Sequence, residues 1–349
     1  MLSLPEMRKE IINLLPKDAF SPKFQYILIP IFLFIAILSF SYLTLKSHHG
    51  YLSLLYSIVL GLLYISYAFY THHLLHGVVT RSKLLQKIVG QLGYLIILFP
   101  VDLWRMWHNV AHHLYANSDT NEDPDANLLL SDKDMASSTW INRIYLSFIP
   151  GSKKLVSYFY LFYSLSMGAL FAKRLVIKSS KIRESYSKKY IYFQLQSLAM
   201  MCFWIILGYW MGIKNAFFVI IIPMLIANFG TMSHIATNHL LMPLTNTNHP
   251  LLNSMSVKVY KIFDIMHFNF SHHVEHHIFP TLHWKYYPLI RQYLKKNFST
   301  YYICPNYLEA LWHLYTTPRQ YKDNNTLYNV VTSEAVTIES IHNKILKNS

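Results

Sequence analysis

Four long blocks without a charged residue interrupt an otherwise mixed chain, and they come in two close pairs. The first pair is YILIPIFLFIAILSFSYLTL (26–45) and YLSLLYSIVLGLLYISYAFY (51–70), separated by KSHHG. The second is YIYFQLQSLAMMCFWIILGYWMG (190–212) and AFFVIIIPMLIANFGTM (216–232), separated by IKN. About 20 apolar residues in a helix cross a hydrocarbon core of about 30 Å. The pattern predicts an all-α integral membrane protein with four transmembrane helices in two hairpins, over about 25–45, 51–71, 190–212 and 215–233. Two weaker apolar stretches lie between the pairs, at 84–101 and 155–172. Lys153–Lys154 and Lys173–Arg174 flank the latter, which predicts a membrane-surface helix or a re-entrant segment that returns to the side it left. Beyond residue 280, Tyr286, Leu289, Ile290, Tyr293 and Leu294 form one helical stripe, and Leu308, Leu311, Trp312 and Tyr315 another. Both are expected to pack under the membrane domain. Residues 323–349 read as a polar, weakly patterned tail, and 1–24 as a separate N-terminal segment ahead of a membrane domain over 25–322.

Composition agrees with this reading: 53% of the 349 residues are hydrophobic and only 14% charged, against about 25% charged in soluble domains. The charges before the first block are of both signs, unlike a cleavable signal peptide. The net charge of +14 raises nucleic acid as a partner. The basic residues, however, surround the apolar blocks, and no nucleic-acid-binding motif is present. Lys173, Arg174, Lys178, Lys181, Arg183, Lys188 and Lys189 crowd before the third block, and Arg8, Lys9, Lys17 and Lys23 precede the first. The positive-inside bias then puts both termini in the cytoplasm, with the cytoplasmic helices forming a cap. Only Cys202 and Cys304 occur, too few for a disulfide framework.

The chemistry lies in the histidines. Twelve of nineteen fall in four clusters: HHLLHG (72–77), HNVAHH (108–113), HIATNH (234–239) and HHVEHH (272–277). The first and third begin where the second and fourth spans end, so all four can meet on one side at one depth. His72 and His76, and His108 and His112, are four residues apart; His273, His276 and His277 are spaced i, i+3, i+4. Such residues share a helix face and can share a metal. The adjacent pairs His112–His113 and His276–His277 diverge by about 100° on a helix, so one member of each can face a second metal. His73 and His272 are the spare neighbours. Neutral imidazole suits zinc, copper, iron and nickel. A hydrolytic zinc site of the H-E-x-x-H type is a poor match, since HHLLH lacks the general base. Nine or more nitrogens also exceed a four-coordinate zinc. Two six-coordinate irons would absorb them and leave positions for O2. His249, His283, His313 and His342 stand alone and read as surface or packing residues, and His48 and His49 as an exposed turn.

These residues resemble the membrane fatty acid desaturases with three histidine boxes. HHLLHG is similar to the first box, HNVAHH to the second and HVEHHIFP to the third; WRMWHNVAHHLYANSDTNEDPD resembles the stretch around the second box. The likeness runs from about 55 to 322. It implies a non-haem di-iron centre that uses O2 and two electrons to desaturate an acyl chain, with His72, His76, His108, His112, His113, His273, His276 and His277 as ligands. The resemblance also implies a ligand from the end of the last span; His239 is the first choice, with His234 or Asn238 as alternatives. His73 replaces an acidic residue usual in the family.

Around such a centre, Trp104, Trp107, Tyr115 and Phe279 are candidates for an apolar tunnel. Glu275 and either Asp123 or Asp125 are candidates to orient imidazoles. Neither an H-P-G-G haem motif nor a cysteine cluster is present, so electrons are expected from a separate ferredoxin or cytochrome b5-like donor and its reductase. The acyl carrier is a lipid, CoA or a carrier protein. The rival readings are an alkyl or carotenoid hydroxylase or ketolase on the same scaffold, and a membrane metal transporter. No carboxylate occurs in any span, which disfavours transport.

Overall fold

The computed structural model describes residues 2–120, 123, 147–173, 183–184, 186, 189–329 and 332–347. Helix α1 (Leu4–Ile12) begins with a capping box, in which Ser3 and Glu6 satisfy each other's backbone amides, and Pro5 sits in its first turn. A 3₁₀ turn (Phe24–Leu28) leads into α2 (Ile29–Lys46), three residues connect it to α3 (Gly50–Leu75), and α4 (Lys83–Gly93) follows. Next comes α5 (Val101–Trp104), which runs on into a π-helical stretch (Arg105–His112) and a last turn (His113–Tyr115). The 155–172 region is not one helix. It is a 3₁₀ segment (Leu155–Phe162) followed by α6 (Ser164–Leu170). Ser166 ties α6 down, donating its N–H to Asn228 Oδ1 and its hydroxyl to the Ile97 carbonyl. Then come α7 (Tyr190–Met211) and, after Gly212 and a π-helical turn (Phe217–Ile221), α8 (Ile222–His239).

Among the described residues, four stretches are long and apolar enough to cross a membrane: Phe24–Lys46, Gly50–Leu75, Tyr190–Met211 and Ile213–His239. The second and fourth are 56% and 50% buried, against 17% and 28% for the first and third. Helices α3 and α8 are therefore the inner pair, and α2 and α7 lie outside them. The inner pair meets at a reciprocal seam. A β-carbon on Gly61 would lie 2.5 Å from Ile226, and one on Gly230 would lie 2.2 Å from Ile65. In lipid, where burial of apolar surface does not drive helices together, small residues permit this close van der Waals approach.

The remaining elements are short: α9 (Pro250–Asn253), α10 (Lys261–Met266), α11 (His273–Ile278), α12 (Tyr287–Asn297) and α13 (Tyr307–Thr316). Helix α12 buries Ile290 and Leu294 of its stripe, as expected. Helix α13 does not. It turns Ala310 and Leu314 inward, while Leu308 and Trp312 are 72% and 67% exposed. The all-α expectation also needs amending, because β1 (Gln320–Asp323), β2 (Thr326–Tyr328) and β3 (Ala335–Thr337) form an antiparallel meander. Helix α14 (Ile338–Lys347) follows, and its Ile338, Ile341 and Ile345 join a second core with Leu241, Met242, Met255 and Tyr321. The segment read as a polar tail is a packed module. The N-terminal segment is likewise integrated: α1 buries Met7 and Ile11, and Arg8 donates to the Ile278 carbonyl at the end of α11.

Candidate metal centre

Helix α3 ends where the first histidine cluster ends, and Gly77 is the reason. Its φ of +83° lets the chain reverse so that the Gly77 N–H reaches the Leu74 carbonyl and the Val78 N–H the His73 carbonyl. This double bond pattern satisfies carbonyls that a helix end otherwise leaves free. His72 and His76 are thereby held one turn apart at the mouth of the inner pair, while His239 sits in the last turn of α8.

The second cluster departs from α-helical geometry. In the π-helical stretch the His113 N–H bonds to the His108 carbonyl, five residues back. Residues His108 and His113 come to face each other, Nε2 to Nε2 at 3.0 Å. The expected His108–His112 partnership is lost, because His112 turns to the other side and reaches His277 (3.2 Å). The third cluster is α-helical: His273 and His277 stay together at 3.0 Å, while His276 points the other way and meets His72 at 2.9 Å.

The result is two adjoining groups. His72, His76, His108 and His276 form one; His112, His239, His273 and His277 form the other. Within each, the ligand atoms all lie within 4.8 Å of one another. His113 Nε2 belongs with the first group, 3.2 Å from His76, 3.0 Å from His108 and 3.2 Å from His276. In the second, His239 and His273 approach to 2.6 Å. All nine histidines therefore converge through Nε2.

Protonation shows what such convergence requires. Burial first, and then repulsion from neighbouring imidazoles or, for His76, also from His73, holds His76, His108, His113, His273, His276 and His277 well below the usual histidine range. They are neutral at physiological pH. Several outer nitrogens carry the proton away from the centre: His239 Nδ1 donates to the Asn253 carbonyl (3.2 Å), and His112 Nδ1 faces both oxygens of Asp123 (3.3 Å). His276 Nδ1 pairs with the Tyr287 hydroxyl at 3.1 Å. The inner Nε2 lone pairs then point at one another, an arrangement that repels unless a cation lies between them. A cation about 2.1 Å from each nitrogen sets octahedral neighbours about 3.0 Å apart and tetrahedral ones about 3.4 Å. The observed 2.6–3.2 Å contacts run from below the octahedral value to midway between the two. Each of the two groups could hold a metal ion.

The other residues singled out above divide. Asp123 is fully buried and faces His112 while accepting the Asn117 N–H; Asp125 lies outside the described residues. Glu275 faces away from the imidazoles. Its carboxylate accepts from Ser256 (2.6 Å), Tyr302 (2.6 Å) and Arg291 (3.3 Å). Burial pushes its pKa up, but Arg291, His272 and the two hydroxyls outweigh that and keep it ionised. Its place is behind α11, joining it to Ser256 and to Arg291 of α12. His234 belongs to neither metal group and stacks on Tyr307 (4.7 Å). Asn238 is buried, and its side-chain amide has no protein partner among the described residues. His73 packs beside Trp284, and His272 Nδ1 lies 3.1 Å from Ser271 Oγ. His283 is a core residue packed against Trp284, with ring centroids 4.0 Å apart.

A narrow cavity of about 30 Å³ opens beside both groups, touching His72, His108, His112 and His273. Trp104 and Trp107 line it, with Phe69, Tyr94, Ile97 and Phe99. Tyr115 and Phe279 do not; Phe279 packs on Phe20 beneath Arg8. Sequence reasoning missed Asn117, whose side chain donates to the carbonyls of His239, Met242 and Pro243. Its φ of +48° is the one local signal, an asparagine in a left-handed turn. Tyr287 was passed over because the stripe reading centred on its neighbours.

The family model described as Fatty acid desaturase matches residues 49–308. No curated protein matches the chain.

Proposed function

Because the chain belongs to the fatty acid desaturase family, we propose that it is a membrane oxidoreductase that introduces a double bond into an acyl chain at a histidine-held di-iron centre. The convergence of nine imidazoles into two adjoining groups carries this reading. His72, His76, His108, His113 and His276 would hold one iron, and His112, His239, His273 and His277 the other. The iron pair supplies the chemistry that side chains lack, O2-dependent oxidation of an unactivated C–H bond. The reaction balances when the acyl chain gives up two hydrogens, and two electrons and two protons arrive from outside. O2 is then reduced to two waters.

The protein's own residues do the positioning. Asp123, the Asn253 carbonyl and Tyr287 fix the imidazoles they touch. Phe69, Ile97, Phe99, Trp104 and Trp107 offer an alkyl chain an apolar wall and exclude water. The external electrons come from a ferredoxin or cytochrome b5-like donor with its reductase, for which the basic surface is suited. The acyl group arrives on a membrane lipid, CoA or a carrier protein. The basic flanks favour termini and histidines on the cytoplasmic side.

Expression in cells lacking unsaturated fatty acids tests the reaction. Lipid profiles should show acyl chains lighter by about two mass units, dependent on O2, and the purified protein should carry close to two irons. His276→Ala should abolish the product, whereas His48→Ala, in the exposed turn, should retain it. A gain of about sixteen mass units without an alkene would reject desaturation in favour of hydroxylation on the same histidines. Unchanged lipids, with iron bound and donor present, would reject acyl substrates.

A further inference from the structure

Six successive carbonyls, from Asn238 to Pro243, run from the last turn of α8 into the chain beyond it, where a helix normally leaves acceptors unsatisfied. Every one of them accepts a hydrogen bond. The Asn238 carbonyl takes the Met255 N–H at 2.9 Å, and that of His239 takes the Met242 N–H and Asn117 Nδ2. Those of Met242 and Pro243 also take Asn117 Nδ2, at 3.2 and 3.3 Å. The next donors come from much further along the chain. Arg319 Nη1 reaches the Leu240 carbonyl at 2.7 Å, His342 Nε2 the Leu241 carbonyl at 2.8 Å, and the Tyr321 hydroxyl the Met242 carbonyl at 2.6 Å. The Leu244 N–H completes the seam on the Asn324 carbonyl.

We propose that the C-terminal module, residues 319–347, is a positioning element for the second metal group and acts by clamping the backbone immediately after His239. The module lies beyond the family match at 49–308. Three different side chains, on β1, on the residue before it and on α14, converge on three consecutive carbonyls. Arg319 is buried, its Nε and Nη2 donate to the carbonyl and hydroxyl of Thr317, and its Nη1 is aimed at the end of α8. A cation there also complements the negative end of the helix. Leu241 and Met242 are buried in the same core as Tyr321, Ile338, Ile341 and Ile345, so the clamp is packed as well as hydrogen-bonded. By contrast, His72 and His76 of the first group stand at the end of α3, which the Gly77 turn closes without help from this module. The inference rests on the reading of His239 as a ligand, and it predicts an unequal effect on the two metals.

The test uses the full-length protein in detergent, stripped of metal and titrated with cobalt(II) against a chelator, with the visible spectrum reporting each site. Wild type should take up two ions. His239→Ala should lose affinity at one site only. The triple variant Arg319→Met, Tyr321→Phe, His342→Phe should weaken that same site by about 10- to 100-fold, the range for partners that orient a ligand, and leave the other unchanged. Arg319→Lys, which keeps a donor, should restore most of the affinity when paired with the other two native residues. The single Tyr321→Phe variant serves if the triple variant fails to insert. Loss at both sites alike would overturn a positioning role in favour of general support of the fold. Unchanged affinities in the clamp variants, with His239→Ala weakened, would overturn the clamp alone. Undiminished binding in His239→Ala would overturn the ligand assignment beneath it.

Discussion

Replacing Glu275 by glutamine removes a charge from a place water cannot reach. Its carboxylate is 0% exposed and takes hydrogen bonds from Ser256, Tyr302 and Arg291. Arg291 also holds the carbonyls of Val257 and Ser271. Glutamine keeps the shape and part of the hydrogen bonding, but leaves the guanidinium without its counter-charge. Breaking one side of a buried ion pair costs about 3–5 kcal/mol. For a chain of this size, at about 2 °C per kcal/mol, the melting temperature should fall by roughly 6–10 °C. The measurement is thermal unfolding of metal-free protein in detergent, so that metal affinity does not enter. The double variant Glu275→Gln, Arg291→Met removes both charges and should recover a large part of the loss, since a buried pair replaced by apolar groups is often neutral. A Glu275→Gln protein as stable as wild type would refute the reasoning. So would a double variant worse than the sum of the singles.

Acid should empty the site. His76, His108, His113, His273, His276 and His277 have folded-state pKa values lowered by burial, so their stabilising contribution is complete above the unfolded value of about 6.5 and is lost as pH falls below it. Melting temperature and retained iron measured from pH 8 to 5 should both decline below about pH 6.5; a flat profile would contradict the buried, neutral assignment. Asp123→Asn should lower metal affinity at the second site by about 10- to 100-fold, read by chelator competition, because His112 loses its anionic partner. Gly77→Ala should destabilise by about 1 kcal/mol in a detergent melt through backbone conformation alone, as nothing lies closer than 3.9 Å to the added carbon, and Gly77→Asn should cost less. Reporter fusions at residues 48, 180, 214 and 330 should read outside, inside, outside and inside.

The apolar blocks were legible because length and lack of charge are all that a span requires; the helices begin within two residues of the expected positions, while the second and fourth run four and six residues further. The division of adjacent histidines between two groups was legible for the same kind of reason, from the angle between neighbours on a helix. The pairing of His108 was not. A π-helical stretch has no composition of its own, and HNVAHH fits either geometry. Helix α13 misled in another way, since a stripe shows that two faces differ without saying which one meets protein. The C-terminal module was passed over although Ile338, Ile341 and Ile345 keep helical spacing, because ten residues between polar neighbours give a weak signal. Glu275 was misassigned because sequence adjacency to the clustered histidines does not reveal which way a side chain points.

The glycine seam between α3 and α8 acts as the fulcrum of two levers. Gly61 lies eleven residues before His72, and Gly230 nine before His239, or about 16 and 14 Å along the helices. A change of about 2° in the crossing angle would carry either histidine roughly 0.5 Å, the tolerance within which a constellation of ligands must be held. Bulk added at Gly61 or Gly230 would thus reach the chemistry through leverage, from residues that touch none of it.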